Sequence, residues 1–168
     1  MDPFAILGVG PSFDLDLGAV ERIHRELSRA LHPDRYVGAG PSERREALAR
    51  AMEVNEAWRV LRDPIRRAEA LLLLEGVAVA EDRAPPADPD FLMEMLEQRE
   101  ALSEAIAAKD RSAVARLATA IRARAEATER GVSDGFAAKA TATVTERLGE
   151  LRFFRRFLDE VSAVEDEL

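Results

Sequence analysis

The chain has 168 residues, with 24 Lys and Arg against 32 Asp and Glu, a formal net charge of -8 and no cysteine. That balance argues against a general nucleic-acid binder, whose affinity comes from clustered cations that release counterions. The missing thiols exclude disulfides, thiol catalysis and Cys-held zinc or iron–sulfur clusters.

Ala, Leu, Glu and Arg dominate, β-branched and aromatic residues are sparse, and long stretches lack Gly and Pro, so an all-α protein is expected. The length suits two small helical domains. The N-terminus has no basic and apolar leader, and no window approaches the roughly 18 apolar residues of a membrane span. A cytoplasmic protein that binds no membrane is expected.

In chain order, Pro3 to Leu7 form a short helix with Gly8 as its stop. A second helix starts after Asp16, a good N-cap, and carries Val20, Ile23, Leu27, Ala30 and Leu31 along one face. Beside that stripe run Arg22, Arg25 and Arg29, extended by Arg35. Pro33 lacks an N–H and restricts the residue before it, so the helix ends at Leu31 or His32, and His32, Pro33 and Asp34 stand at a loop tip. A Gly-rich loop from Tyr36 to Pro41 leads to a third helix starting at Ser42, with Leu48, Ala51, Asn55, Trp58 and Leu61 on one side. It pairs antiparallel with the second. Asp63-Pro64 breaks it and opens a fourth helix, Pro64 to Leu74.

Residues 76–90 contain three prolines, several acids and no helical period, and read as a linker between domains 1–75 and 91–168. Residues 1–75 hold 11 Lys and Arg against 13 Asp and Glu, and residues 76–168 hold 13 against 19, so the acidity belongs mainly to the second half. Three long helices follow in up-down-up order. Asp88-Pro89 starts the first, Asp110 caps the second, and Gly131 followed by Ser133 or Asp134 divides the second from the third.

At about 100° per residue, Phe91, Met95, Leu102 and Ile106 make a core seam, whereas Leu92, Met93 and Leu96 occupy a second sector with Glu97 and Glu100. In the last helix Val144, Leu148, Leu151 and Leu158 form a seam, and Phe153 points to the opposite side with Phe157 near it. Either a further element covers those off-seam residues, or they are an apolar patch that meets a partner. Met93 suits an adaptable binding surface, and Glu97, Arg99 and Glu100 would rim it.

Catalytic chemistry is poorly supplied. His24 and His32 are the only histidines. A His32/Asp34 pair lacks a nucleophile, a Gly-rich phosphate loop or a metal-ligand set around it, so no catalytic residue, metal or cofactor is expected. His24 reads as a helix-surface or packing histidine.

The N-terminal half resembles the J-domain of the DnaJ class of Hsp70 co-chaperones. Phe4, Leu7 and Gly8 match its opening, Arg22 to Arg29 its basic second helix, His32-Pro33-Asp34 its loop, and Asn55, Ala57, Leu61, Asp63, Pro64 and Arg67 the end of its third helix and start of its fourth. Across its whole length the chain resembles the HscB family of iron–sulfur cluster biogenesis, through Asn55-Glu56-Ala57-Trp58, Arg67-Ala68-Glu69, Phe91-Leu92-Met93-Glu94, Leu96-Glu97, Arg99-Glu100 and Leu151-Arg152-Phe153.

The resemblance implies an antiparallel helical hairpin with flanking helices, followed by a three-helix bundle. It further implies that His32, Pro33, Asp34, Arg22, Arg25, Arg29 and Arg35 meet a specialised Hsp70, HscA, and that Leu92, Met93, Leu96, Glu97, Glu100 and Phe153 hold the cluster scaffold protein IscU. The chain would be a monomeric adaptor that stimulates its partner's ATPase and performs no chemistry itself. A general J-protein delivering other clients is the alternative. Arg35 stands where the family usually has Lys, Tyr36 replaces a more usual Phe, and the long Gly38-Ala39-Gly40 tract is expected to loosen the loop.

Overall fold

The computed structural model describes residues 1–77 and 88–165, and the chain divides into two compact units, Met1–Ala78 and Val79–Leu168. Of the segment expected to be a linker, residues 78–87 lie outside the described residues, and Pro89 and Asp90 already belong to a helix. The described residues form helices and no strand.

The first unit holds α1 (Pro3–Leu7), α2 (Leu17–Ala30), a 3-10 turn (Pro33–Tyr36), α3 (Pro41–Arg62) and α4 (Pro64–Leu74). Short polar side chains decide most of the starts. Asp2 Oδ1 accepts from the Phe4 and Ala5 N–H groups at 3.0 and 3.2 Å, Asp16 Oδ1 from Ala19 at 3.0 Å, and Asp63 Oδ1 from Ile65 and Arg66 at 2.9 and 3.1 Å. Each satisfies helix-end donors that have no partner within the helix. Gly8 stops α1 in the left-handed conformation, φ 66°, a geometry that costs glycine least.

The third helix departs from expectation in two ways. It starts at Pro41 rather than Ser42, with Gly40 ahead of it supplying no side-chain bond, because proline's fixed φ suits a first helical position. Its buried residues are Ala47, Val54, Ala57, Val60 and Leu61, whereas Leu48 and Asn55 are exposed. The core of this unit lies between α3, α1 and α4, around Phe4, Leu7, Phe13, Leu61, Ile65 and Leu72. Helix α2 packs against a neighbouring face of α3, burying only Val20 fully.

Arg67 is 4% exposed and structural. Its guanidinium donates to the Leu61 carbonyl at 2.7 Å, near the end of α3, and lies 4.7 Å from the centre of the Phe13 ring. It thereby fills the α3–α4 corner while satisfying a helix-end acceptor. Glu56 and Arg66 join the same two helices at 2.5 Å, and this hydrogen bond, with the charges of Arg66 and Arg59, lowers the Glu56 carboxyl below its ordinary range.

The second unit is a three-helix bundle of α5 (Pro89–Ala107), α6 (Arg111–Ala137) and α7 (Thr141–Glu165). Asp88 and Asp110 cap α5 and α6 through the N–H groups of Asp90 and Ala113, at 3.1 and 2.9 Å. The expected break at Gly131 to Asp134 is absent: α6 runs through it, and the turn comes at Ala138–Ala140. Both turns are built alike, around a left-handed lysine, Lys109 (φ 52°) and Lys139 (φ 53°). The residue after each donates back into the preceding helix, Asp110 to Ala105 and Ala140 to Gly135, both at 2.9 Å.

The glycines serve packing instead. At Gly135, buried against α7, a Cβ would stand 2.8 Å from Val144 Cγ2. Gly135→Ala is therefore expected to lower stability by about 1–3 kcal/mol in denaturant unfolding despite alanine's better helix propensity, with the added Val144→Ala relieving the overlap.

The interior is lined by Phe91, Met95, Leu102, Ile121, Leu148 and Phe154, among others. Two seams shift from the simple wheel. Ala105 is buried in place of Ile106, which is half-buried. In α7, Phe154, Phe157 and Val161 continue the core while Leu158 is half-buried, so Phe157 does not share the outward face of Phe153.

Candidate functional site

The end of α2 positions the first site. Leu31 closes the helix, His32 turns to extended backbone (φ -61°, ψ 133°), and Pro33 opens the 3-10 turn rather than a plain loop. The Arg35 N–H donates to the His32 carbonyl at 3.0 Å, and the Tyr36 hydroxyl reaches the Ala30 carbonyl at 3.5 Å, tying the turn to the helix it leaves. His32 Nδ1 accepts the Asp34 N–H at 3.3 Å and stands 3.5 Å from Asp34 Oδ2.

Those side chains are 59% and 85% exposed. The Asp34 carboxylate makes no other ion pair among the described residues and holds up no part of the core. An exposed histidine and carboxylate on a proline-fixed turn offer a partner one ring and one anion in set positions.

Arg22, Arg25, Arg29 and Arg35 are all exposed, so the basic stripe faces solvent and leads to the turn as the spacing predicts. Arg25 is paired with Glu21 at 2.6 Å, which offsets part of the local field. His24 takes no place on that face. It stacks on Trp58, ring centres 5.6 Å apart, and its Nε2 pairs with Asn55 Oδ1 at 2.9 Å, so it joins α2 to α3. Nearby, Leu31, Pro33, Tyr36, Arg44, Ala47 and Leu48 line a depression of about 210 Å³ between the end of α2 and the start of α3, which shows the pair to be antiparallel.

The second site lies on the bundle. Phe91, Met95 and Leu102 point inward from α5, while Leu92 (41% exposed), Met93 (60%) and Leu96 (54%) face solvent. Glu97 and Glu100 are exposed on the same helix. Phe153 of α7 is half-buried and meets Phe91 edge-on, centroids 5.6 Å apart, with the Arg156 guanidinium 4.7 Å over its ring. Phe91 thus links Phe153 to the α5 strip, whose next residue is Leu92. A contiguous apolar strip edged by carboxylates is the composition of a protein-binding surface.

Sequence reasoning missed Arg124 and picked out Arg67 only through the resemblance; Arg67 bonds the Leu61 carbonyl at the α3–α4 corner, and Arg124 bonds Glu94 between α5 and α6. Nothing in local spacing marks them. No group of three or more His, Cys, Asp or Glu able to hold a metal ion occurs among the described residues, and no helix among them is long and apolar enough to cross a membrane.

Known proteins show the same two-part organisation. Residues 2–70 match the DnaJ domain, and residues 87–162 match the family described as the HSCB C-terminal oligomerisation domain. A co-chaperone protein HscB homolog of Shewanella halifaxensis is 31% identical, over 100% of this chain and 99% of the relative. Another, from Paraburkholderia phymatum, is 38% identical over 119 residues, 71% of this chain and 68% of the relative. Among solved structures, chaperone HscB from Vibrio cholerae superposes with a TM-score of 0.89 at 31% identity, covering 100% of this chain and 99% of that one. The human co-chaperone protein HscB gives 0.92 at 24% identity, covering 100% and 84%, a likeness of fold.

Proposed function

Because the chain belongs to the HscB family of J-domain co-chaperones, which act through an Hsp70 and a client and are not enzymes, we propose that it binds the iron–sulfur scaffold IscU, delivers it to the specialised Hsp70 HscA and stimulates that partner's ATPase. It does so in the cytoplasm, as a monomer. Arg22, Arg25, Arg29 and Arg35 dock on an acidic surface of HscA, and the turn bearing His32, Pro33 and Asp34 engages it. Leu92, Met93, Leu96 and Phe153 supply the apolar centre of the IscU contact, while Glu97 and Glu100 steer basic residues of the scaffold.

The observation that carries this reading is that α5 exposes Leu92, Met93 and Leu96 although its opposite face already fills a core. A bundle needs only one such face. With an Hsp70-facing turn and a client-facing helix in one chain, the client reaches the Hsp70 at high effective concentration.

The test is the steady-state ATPase rate of HscA with the protein alone, with IscU alone and with both. The expected result is a rate with both that far exceeds the sum of the separate effects. Stimulation by the protein that is indifferent to IscU would make it a general J-protein, with α5 serving a different client.

A further inference from the structure

Two residues at the start of α5 converge on Arg124 of α6. The guanidinium grips Glu94 at two points, Nη1 to Oε1 at 2.7 Å and Nη2 to Oε2 at 2.8 Å. Its carbon lies 5.9 Å from the centre of the Phe91 ring and 5.2 Å from that of Phe154. Phe91 in turn stands edge-on to Phe153 and Phe154, at 5.6 and 5.7 Å. One cation therefore connects the first turns of α5 to α6 and, through the Phe91 ring, to Phe153 of α7.

The chemistry of this link is specific. A planar fork matches a carboxylate at two points and lies against rings at the same time, whereas an ammonium is a point charge that manages one contact. With side chains 34% and 49% exposed, Arg124 and Glu94 are partly screened, so the pair gives orientation more than bulk stability. Leu92 and Met93 lie between Phe91 and Glu94 in the chain, and both flanking residues are held by the same guanidinium.

We infer that Arg124 is a positioning residue for the client-binding face: with Glu94 and Phe91 it holds the first turns of α5 so that Leu92, Met93 and Leu96 stand in fixed register beside Phe153. The inference rests on reading that face as the IscU contact. Without the clasp, ordering of these turns has to occur at binding and subtracts from affinity.

The experiment compares Arg124→Gln and Arg124→Lys with the unchanged full chain, by calorimetric titration with IscU and by amide hydrogen exchange of residues 89–97. Arg124→Gln is expected to weaken binding about tenfold and to speed exchange at residues 91–97, with the bundle still folded by circular dichroism. Arg124→Lys, which keeps the cation over the rings but only one contact to Glu94, should recover part of both. In a Leu92→Ala/Met93→Ala/Leu96→Ala background, Arg124→Gln should change affinity by less than about twofold, because the side chains it positions are gone.

A variant that binds IscU like the unchanged protein while Leu92→Ala still weakens binding overturns the inference. So does a loss of the same size in the Leu92→Ala/Met93→Ala/Leu96→Ala background, which would mark a general structural role. If the unchanged protein does not bind IscU, the proposed function fails instead, and exchange at residues 91–97 that Arg124→Gln leaves unaltered would then overturn the clasp on its own.

Discussion

Asp34→Asn is expected to return the HscA ATPase to its unstimulated rate while leaving the affinity for IscU within about twofold. The substitution keeps the size of the side chain and removes its charge. Asp34 is 85% exposed, so no buried partner is orphaned. The turn survives, because Pro33 sets its backbone and His32 Nδ1 accepts the main-chain N–H of residue 34, which asparagine keeps. Stability should therefore change by less than about 0.5 kcal/mol, the usual range for a surface site. ATPase rates, a calorimetric titration of IscU and a thermal melt on one preparation check the three parts. Loss of both activities with a lowered Tm would show an unfolded protein, and loss of both without it would show that stimulation and client binding are not divided between the two units as proposed.

The second large effect belongs to the bundle. Leu92→Ala combined with Phe153→Ala is expected to weaken IscU binding by about 3–4 kcal/mol, several hundredfold, as truncations at the centre of an interface can. The two substitutions differ in what else they cost. Leu92 is 41% exposed and should leave the melt nearly unchanged alone. Phe153 touches Phe91 edge-on, so its loss should also cost about 0.5–1.5 kcal/mol of stability. Separate melts of the single variants isolate that share. If the main effect of both is a lower Tm with binding intact, these residues are core and the client lies elsewhere.

Much of this was legible wherever one residue type has one strong local preference. Asp16, Asp63, Asp88 and Asp110 are each found capping a helix at the position their neighbours suggest, two of the four starts being sharpened by a following proline. Pro33 ends α2 for a steric reason that needs no tertiary context. The outward sector of Leu92, Met93 and Leu96 followed from a straight helix of 3.6 residues per turn, and their exposure agrees.

The failures arose where packing decides. Gly131 reads as a stop because glycine weakens isolated helices, yet α6 continues because contact with α7 outweighs propensity, and Gly135 is favoured there by Val144. In α3 the wheel identified the side facing α2, through Asn55 and Trp58, and apart from Leu61 missed the side facing α1 and α4, since a helix with neighbours on two faces has no single stripe. Phe157 was misplaced because a long helix crossing its neighbours does not keep one angular seam. Arg124 and Glu94 are 30 residues apart, and no periodicity reports such a pair.

The lysine-centred turns bear on how the bundle assembles. Each helix is antiparallel to the next in the chain, so most native contacts close over short loops and folding should be fast. The most extensive packing is between α6 and α7, and α5 joins through a smaller interface. The α6–α7 hairpin is thus the natural nucleus, with α5 the last helix to dock and the first to detach. On the proposed function, a client that binds only the docked α5 would draw the equilibrium toward the folded bundle, so that the cargo would stabilise its own carrier.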